Sequence, residues 1–306
     1  MNDVTIQNPF KRTDVFQCQH PSHRKFNYKV SAHHVLNEKN CYPDGCLYFE
    51  WHCSLMEKGN RCIHGYQYVG RKCKGCTHYL DEKFHFQPTC LLSDIELKVF
   101  EEQKERFSAW LEEVKWKRFS CAGRILSVKP WFESHYTHHQ KKQIFKGYLL
   151  VFKNGFIGRS LFDGPFYVRV SHALMQQHRF LPKMKLEFTS EVRYDMGRIV
   201  LFFPKGIEIF NRGWGYHWTK SKALVALKTG TIFQNQPEGC LSCTWSLLID
   251  VLDDRDGQII KKRELHCMKG VTDSQLCTYA VFKRVRKKLK KNGPLKTKAT
   301  TPAPFL

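Results

Sequence analysis

The chain has 306 residues, of which 42% are apolar, so it is long enough for two or three domains and for a hydrophobic core. This composition excludes a disordered chain, and no apolar run approaches the roughly 18 residues of a membrane span. Fifty Lys and Arg residues against 28 Asp and Glu give a formal net charge of +22, which favours a polyanionic partner such as nucleic acid.

The N-terminal segment, residues 1–92, is defined by its cysteines, because eight of the thirteen in the chain lie between Cys18 and Cys90. The first residues do not have the basic and then apolar pattern of a secretion signal, so we expect an intracellular protein, cytoplasmic or nuclear. In that reducing compartment, closely spaced thiols are better explained by metal ligation than by disulfide bonds. We therefore predict a cysteine-rich metal-binding region here.

Two groups of four cysteines can be drawn within this segment. Cys73 and Cys76 have C-x2-C spacing with Gly75 between them, which allows the tight turn that aims two sulfurs at one ion. We group this pair with Cys62 and Cys90, and His64, His78 or His85 could replace one cysteine. The other group consists of Cys18, Cys41, Cys46 and Cys53. His20, His23 and His52 are alternative ligands for this group. The competing interpretation of both groups is buried thiols without metal.

Residues 93–116 are predicted to form a linking amphipathic helix. Ser93 followed by Glu96 is the pattern of a capping box, which satisfies backbone N–H groups at the start of a helix. Apolar residues then recur at spacings of three, four and seven, at Leu97, Phe100, Phe107, Leu111 and Val114. One face of this helix should therefore pack against the rest of the protein.

Residues 117–213 have short runs of β-branched and aromatic residues separated by turn signals, which predicts five strands and a short helix. The strands are expected over Phe119–Val128, Ile144–Lys153, Phe166–Val170, Lys185–Val192 and Ile199–Phe210, and the helix over Ser171–Phe180. This order resembles the OB-fold, a five-stranded barrel that often binds single strands. The resemblance covers about a third of the chain and implies a mixed α+β, β-rich fold with a central OB-like barrel flanked by small metal-bound cysteine modules.

In an OB-fold, the loop after the first strand flanks the binding groove. Here residues 130–142 would form that loop, in which aromatic residues alternate with cations, as required to stack bases and follow phosphates. We predict that nucleic acid binds Trp131, Tyr136, Lys141 and Lys142, with Arg193 and Tyr194 as weaker candidates. The alternative is that these aromatic rings pack in the core.

Residues 214–282 contain the last four cysteines: Cys240, Cys243, Cys267 and Cys277. The first two have C-x2-C spacing, and the predicted strands Ser246–Val251 and Ile259–Leu265, joined by a turn rich in aspartate, resemble a zinc ribbon. The second pair is wider than a ribbon's, but four thiolates suffice for a tetrahedral site. Cys121 remains as a lone cysteine in a strand, which predicts a small buried apolar side chain.

The final segment, residues 283–306, begins with nine Lys or Arg residues in sixteen and no acid, so we predict a basic disordered tail that strengthens phosphate binding. No Walker loop, GxSxG elbow or HExxH motif is present, and the existence of an enzymatic activity stays open. We predict a zinc-containing protein that binds single-stranded DNA or RNA and has no membrane partner. The alternatives are an iron–sulfur redox or nuclease-associated enzyme, and a zinc-stabilised scaffold for protein partners.

Overall fold

The structure is a computed structural model that describes residues 4–138, 140–233, 238–241, 243–255, 259–272 and 277. Within these residues it contains fifteen β-strands and five α-helices. The strands are β1 (Val4–Ile6), β2 (Phe16–Gln17), β3 (Lys29–Val30), β4 (Cys46–Cys53), β5 (Tyr79–Phe86), β6 (Thr89–Cys90), β7 (Arg118–Tyr136), β8 (Lys141–Ile157), β9 (Ser160–Phe162), β10 (Phe166–Val170), β11 (Lys185–Asp195), β12 (Arg198–Ile209), β13 (Thr231–Phe233), β14 (Ser246–Asp253) and β15 (Ile260–Cys267). The helices are α1 (Ser54–Glu57), α2 (Asp94–Val114), α3 (His172–His178), α4 (Lys220–Thr229) and α5 (Glu238–Leu241). The predicted basic tail and part of the aspartate-rich turn lie outside the described residues.

The protein is β-rich and contains a large mixed sheet. It divides into two compact units, which are not consecutive in sequence because β7 and β8 contribute residues to both. Unit 1 comprises residues 1–124, 152–168 and 186–209, and unit 2 comprises residues 125–151, 169–185 and 210–306. None of the described helices is long and apolar enough to cross a lipid bilayer.

Helix α2 of unit 1 begins at the predicted capping box. The Ser93 hydroxyl accepts a hydrogen bond from the Glu96 N–H, and the Glu96 carboxylate accepts one from the Ser93 N–H at 2.9 Å. Its buried face contains Phe100, Phe107, Leu111 and Val114, as predicted, and also Trp110. The predicted helix and its apolar face are therefore confirmed.

The cysteine-rich part of unit 1 forms two small sheets. One has the strand order β3-β2-β6, and the other is the antiparallel β4–β5 hairpin, which pairs Cys46 with Phe86 at one end and Cys53 with Tyr79 at the other. A cluster of buried side chains that includes Phe16, Val30 and Val35 packs against Phe100 of α2. The cysteine-rich region thus has an apolar core of its own.

The remaining strands of unit 1 combine parallel and antiparallel pairing. Strand β1 is parallel to β9, and β10 is parallel to β12, while β11 and β12 form an antiparallel hairpin with two register shifts. The hairpin turns through Met196 and Gly197, both with positive φ, which is the backbone conformation of a two-residue type I′ turn. A turn signal therefore separates these two strands where the sequence predicts one.

In unit 2, the end of β7 and the start of β8 form a hairpin, which turns where the Thr137 N–H donates to the Gln140 carbonyl at 3.0 Å. Strand β14 runs parallel to β7, with Leu248 opposite Trp131, and β14 pairs in turn with β15, which pairs with β13. The two strands predicted in the C-terminal cysteine segment are therefore present as β14 and β15.

All five strands predicted for residues 117–213 are present within the large mixed sheet, where they lie in the order β8-β10-β12-β11-β7, with a further pairing between β8 and β7. The prediction of a loop over residues 130–142 is wrong, because β7 continues to Tyr136 and β8 starts at Lys141. Trp131 and Phe132 point to opposite faces and both are buried, and β14 provides β7 with a partner that lies more than a hundred residues away in sequence.

Candidate metal and nucleic-acid sites

All thirteen cysteines are free thiols. In unit 2, the turn from Cys240 to Cys243 is closed by a hydrogen bond from the Cys243 N–H to the Cys240 carbonyl at 3.1 Å. Cys267 ends β15, opposite Ser246 at the start of β14, only three residues after Cys243. The hairpin therefore brings thiols from two distant parts of the sequence to one end.

Two of these sulfurs accept backbone hydrogen bonds from residues two positions further along the chain. The Trp245 N–H donates to Cys243 Sγ, and the Lys269 N–H donates to Cys267 Sγ, both at 3.4 Å. The two loops are joined by a hydrogen bond from the Met268 N–H to the Trp245 carbonyl at 3.0 Å. N–H groups directed at sulfur favour the charged thiolate, which is the form that ligates a metal.

Burial raises the pKa of Cys240 to about 11, and the nearby thiols of Cys243, Cys277 and Cys267 add to this rise. The other three predicted cysteines are thus close enough to Cys240 to affect its ionisation. Lys129 acts in the opposite direction on Cys240, because its ammonium group favours a thiolate.

Lys129 is completely buried beside this group. Its Nζ donates to the Cys243 carbonyl at 2.8 Å, to the Cys240 carbonyl at 3.3 Å and to the Ser246 hydroxyl. Buried lysines are rare because removing the ammonium group from water is costly. Sequence analysis missed this residue, since nothing in its local sequence distinguishes it from other strand lysines.

In unit 1, four cysteines lie in or against one buried cluster. Cys18 and Cys41 are within it, and Cys46 and Cys90 pack on its edge. Burial raises the pKa values of Cys41 and Cys46, and the nearby Cys18 thiol contributes to both shifts. These cysteines are therefore neighbours, although the sequence prediction had placed Cys90 in another group.

Cys53, Cys73 and Cys76 lie at the other end of the β4–β5 hairpin. Tyr79, opposite Cys53, donates its N–H to the Cys76 carbonyl at 3.0 Å. The residues from Cys73 to Cys76 form a type II turn, with Gly75 at φ 90° and the Cys76 N–H donating to the Cys73 carbonyl at 3.0 Å. Cys62 is the first residue of another turn, in which the Gly65 N–H donates to the Cys62 carbonyl.

The hairpin separates two cysteines that the sequence prediction had grouped together. Cys46 and Cys53 are the first and last residues of β4, so seven strand steps of about 3.3 Å place them roughly 23 Å apart. Sulfurs that share one zinc each lie about 2.3 Å from it. The predicted group of Cys18, Cys41, Cys46 and Cys53 is therefore wrong as a single site.

The histidines proposed as alternative ligands have mixed surroundings. His23 Nε2 lies 3.1 Å from His34 Nε2, and burial with the nearby His34 lowers the pKa of His23 to about 4. His52 contacts Glu57 at 2.9 Å, and His85 lies 2.7 Å from the Asp44 carbonyl. Neutral His23 has the protonation state of a ligand, whereas His52 and His85 are already engaged in other contacts.

Over the parts of the chain that the structure describes, no three or more Cys, His, Asp or Glu side chains stand in the arrangement of a formed metal site. The cysteine groups are thus neighbourhoods of thiols. Cys121 is buried apart from them, and burial raises its pKa to about 12, which agrees with the predicted small apolar side chain.

Trp131, predicted to stack on bases, is only 5% exposed. Its indole N–H donates to Asp250 at 2.7 Å, and the Arg169 guanidinium lies 3.5 Å from its ring centre. The ring is therefore not accessible to a nucleic-acid base. The assignment of Trp131 as a stacking residue is therefore wrong, because the residue lies in a strand rather than in a loop.

The other predicted hairpin residues are more accessible. Tyr136 has two cations near its ring, Lys141 at 5.0 Å and Arg255 at 5.2 Å from the ring centre. Lys141 and Lys142 are exposed at the start of β8. This end of the hairpin therefore has the predicted combination of an aromatic ring and cations.

Arg193 and Tyr194 of unit 1 differ from each other. Burial raises the pKa of Tyr194, whose ring packs on Phe10 and Phe107, so Tyr194 is a core residue. The Arg193 guanidinium instead lies among three aromatic rings, at 4.2 Å from Phe202, 4.8 Å from Trp116 and 5.5 Å from Phe203.

Trp116 and Phe203, which sequence analysis did not select, are 61% and 58% exposed. Both have positive φ, at 65° and 52°, a conformation that is strained for large side chains. Hydrogen bonds hold Trp116 in place, because its N–H donates to the Val192 carbonyl at 2.8 Å and the Val192 N–H donates to Lys117 at 3.0 Å. We call Trp116, Arg193 and Phe203 the aromatic–arginine patch.

Unit 2 has a second surface of this kind after β12. Lys183 lies 3.7 Å from the ring centre of Trp214, and Lys185 lies 5.7 Å from that of Phe210. Both aromatic side chains are exposed, and Asn211 holds the segment by accepting from the Lys185 N–H at 2.6 Å.

The chain matches no protein-family model, no curated protein and no solved structure.

Proposed function

We propose that this protein binds single-stranded nucleic acid through exposed aromatic side chains paired with cations, and that its cysteine groups hold zinc. The observation that carries the first part is the aromatic–arginine patch. Two large aromatic side chains, Trp116 and Phe203, are mostly exposed, with their ring centres 4.8 and 5.5 Å from the Arg193 guanidinium. Exposed rings offer bases a stacking surface, while the Arg193 guanidinium pairs with Glu191 at 2.6 Å, so that charge for a phosphate comes from the exposed Lys117 and Arg118 next to Trp116.

Exposing these rings to water costs free energy, and packing in the core does not offset this cost. An exposed tryptophan and an exposed phenylalanine leave apolar area in water, and both backbones are held in a left-handed conformation. Strained, exposed aromatic residues with a cation between them are features of a binding surface. This supports a role for the patch in ligand contact.

The charge around the patch favours an anionic ligand. Lys117 and Arg118 are exposed next to Trp116, and the Arg118 guanidinium donates to the Phe203 carbonyl at 2.9 Å, beside the second ring. The whole chain has a formal net charge of +22. A single strand fits this surface better than a duplex does, because only unpaired bases can turn their faces to the rings.

The second part of the proposal is zinc, ligated by thiolates in a reducing, intracellular setting. The support is strongest for Cys240, Cys243, Cys267 and Cys277, because the last three lie close enough to Cys240 to raise its pKa and two N–H donors are directed at sulfur. Four sulfur ligands on a tetrahedron suit a structural zinc, whose binding supplies folding free energy. Zinc would then stabilise the hairpin β14–β15 next to the β7–β8 hairpin.

The test is binding of a fluorescent 20-nucleotide oligonucleotide, followed by anisotropy, to Trp116→Ala. Loss of one stacked base costs about 1 to 3 kcal/mol, so the Kd should rise by about 5-fold to 150-fold. Trp116→Phe keeps a ring and should restore most of the affinity. Tyr68→Ala is the matched control, since it removes another highly exposed aromatic side chain.

Equal affinities for Trp116→Ala and Tyr68→Ala would remove the aromatic–arginine patch from the interface. No binding by the unaltered protein at low salt would defeat the nucleic-acid proposal and favour a scaffold for protein partners.

A further inference from the structure

We propose that the eight N-terminal cysteines form two separate zinc sites at opposite ends of the β4–β5 hairpin. This rests on the proposed zinc and goes beyond it by assigning each thiol to an ion. The first site contains Cys18, Cys41, Cys46 and Cys90, and the second contains Cys53, Cys62, Cys73 and Cys76.

The first site is assembled by three elements of the small sheet. Cys90 in β6 pairs directly with Phe16 in β2, and Cys18 follows two residues later on the same face. Diagonal neighbours of this kind lie about 7–8 Å apart at their Cα atoms, within reach of one ion for two cysteine side chains. The Cys18 N–H also donates to the Tyr28 carbonyl at 2.9 Å, which continues the ladder with β3.

Cys41 and Cys46 reach the same cluster from the turn before β4. The Gly45 N–H donates to the Cys41 carbonyl at 2.6 Å, which folds this turn so that both cysteines lie on one side. Cys46 pairs with Phe86, which packs against the cluster that contains Cys18 and Cys41. All four thiols therefore contact one buried core.

The second site lies where β4 ends and β5 begins. The register places Cys53 opposite Tyr79, and Tyr79 is bonded to the Cys76 carbonyl, so Cys53 lies beside the type II turn of Cys73 and Cys76. Cys62 is assigned here because it is the remaining thiol between Cys53 and Cys73 in sequence. Lys74, between the two turn cysteines, lies over the Trp51 ring at 6.0 Å.

The length of the hairpin excludes the alternative grouping. Cys90 and Phe86 pack on the same cluster, whereas the Cys76 carbonyl is bonded to Tyr79, and Phe86 and Tyr79 are the opposite ends of β5. The two ends of β5 are separated by about 23 Å, which is far beyond the distance between two ligands of one tetrahedral ion. Exchanging Cys53 and Cys90 between the two predicted groups removes two conflicts: the separation of Cys53 from Cys46, and the separation of Cys90 from the turn of Cys73 and Cys76.

Each site would bind Zn²⁺ as four thiolates, with the thiol protons released to solvent. The two ions would fix the two ends of a hairpin whose side chains are nearly all exposed or half-buried and which has little core of its own. Zinc would thus replace the packing that a short two-stranded ribbon lacks.

The experiment follows the alkylation of each cysteine in the full-length zinc-loaded protein. N-ethylmaleimide and a zinc chelator are added together, and peptide mass spectrometry gives a time course for every cysteine. Thiols that share an ion lose protection together. Comparison of the unaltered protein with Cys90→Ser and Cys53→Ser assigns the thiols, and Cys121→Ser is the control outside all groups.

We expect Cys90→Ser to speed the alkylation of Cys18, Cys41 and Cys46 by 10-fold or more, without changing Cys73 and Cys76. Cys53→Ser should have the reverse effect. Faster alkylation of Cys73 and Cys76 in Cys90→Ser would overturn the assignment, and so would equal acceleration of all eight cysteines.

Failure of the proposed function has a different signature from failure of this assignment. If the chain holds no zinc, elemental analysis finds none and the unaltered protein is alkylated at the same rate with and without the chelator. If zinc is present but the thiols are grouped otherwise, protection is seen and the variants release the wrong partners.

Discussion

Lys129 is a lysine with no exposed surface, and its ammonium group is surrounded by neutral oxygen atoms of the turn that carries Cys240 and Cys243. Removing this charge from water costs hydration free energy, which a nearby anionic centre would help to offset. Zinc bound by four thiolates has a net charge of −2, which would be balanced in part by Lys129. The residue therefore fits a metal-loaded state better than an empty one.

This explanation predicts that Lys129→Met lowers the affinity of the C-terminal site for zinc by about 10 to 100-fold, the usual effect of losing a group that supports metal ligands. Competition with a chromogenic chelator measures the affinity. Lys228→Met, which removes an exposed lysine of the same unit, should leave it unchanged. Equal zinc affinities for the two variants would mean that Lys129 has only a packing role.

Two tryptophans show how far the exposure of a single residue can be predicted from the sequence. Trp131 lies in an aromatic and basic run that is typical of a binding loop, yet Asp250 and Arg169, distant in sequence, cover it. Trp116 follows a helix in an unremarkable context and is exposed because Val192 pairs with its backbone. Exposure was decided by tertiary contacts that local sequence does not encode.

Helix α2 is the element whose sequence signals and structure agree most fully. Its capping box is formed by Ser93 and Glu96, and the carboxylate of Glu96 has a lowered pKa because it accepts from the backbone and side chain of Ser93. Local signals sufficed here, because a cap and a stripe of apolar residues depend on neighbours within one or two turns.

Ser93→Ala should destabilise this unit by about 1 kcal/mol, because the first N–H groups of the helix lose their acceptor. Urea unfolding followed by circular dichroism measures the change. Ser108→Ala, an exposed position inside the same helix, should be neutral or slightly stabilising, since alanine is the better helix former. A cost at Ser108 as large as that at Ser93 would show that the cap is not the cause.

The positions of the strands along the chain were predicted from the sequence, but not every pairing between them. Alternation and turn residues identified β10 and the β11–β12 turn, since these are local properties. The parallel pairing of β14 with β7 joins segments more than a hundred residues apart, and no local pattern specifies it. The OB-like barrel was predicted from the order of the elements alone, and the structure adds the pairing order β8-β10-β12-β11-β7 and the further pairing of β8 with β7.

At the scale of the whole molecule, all thirteen cysteines are free thiols, and the register of the β4–β5 hairpin decides which of the N-terminal cysteines can lie close together. Proximity in sequence is a poor guide to metal sites when a strand of eight residues lies between two candidate ligands. The charge of +22 needs no structure to be recognised, and it belongs to the molecule rather than to one patch.

Nucleic-acid binding is the central claim, and the salt dependence of single-strand binding tests it most directly. Anisotropy titrations of one oligonucleotide, single-stranded and as a duplex, would be run between about 50 and 300 mM salt. Each phosphate neutralised contributes about −0.7 to the slope of log K against log salt, so contact with three or more phosphates predicts a slope of about −2 or steeper. We expect this slope together with tighter binding of the single strand. No binding at the lowest salt, or equal binding of strand and duplex, would contradict the account.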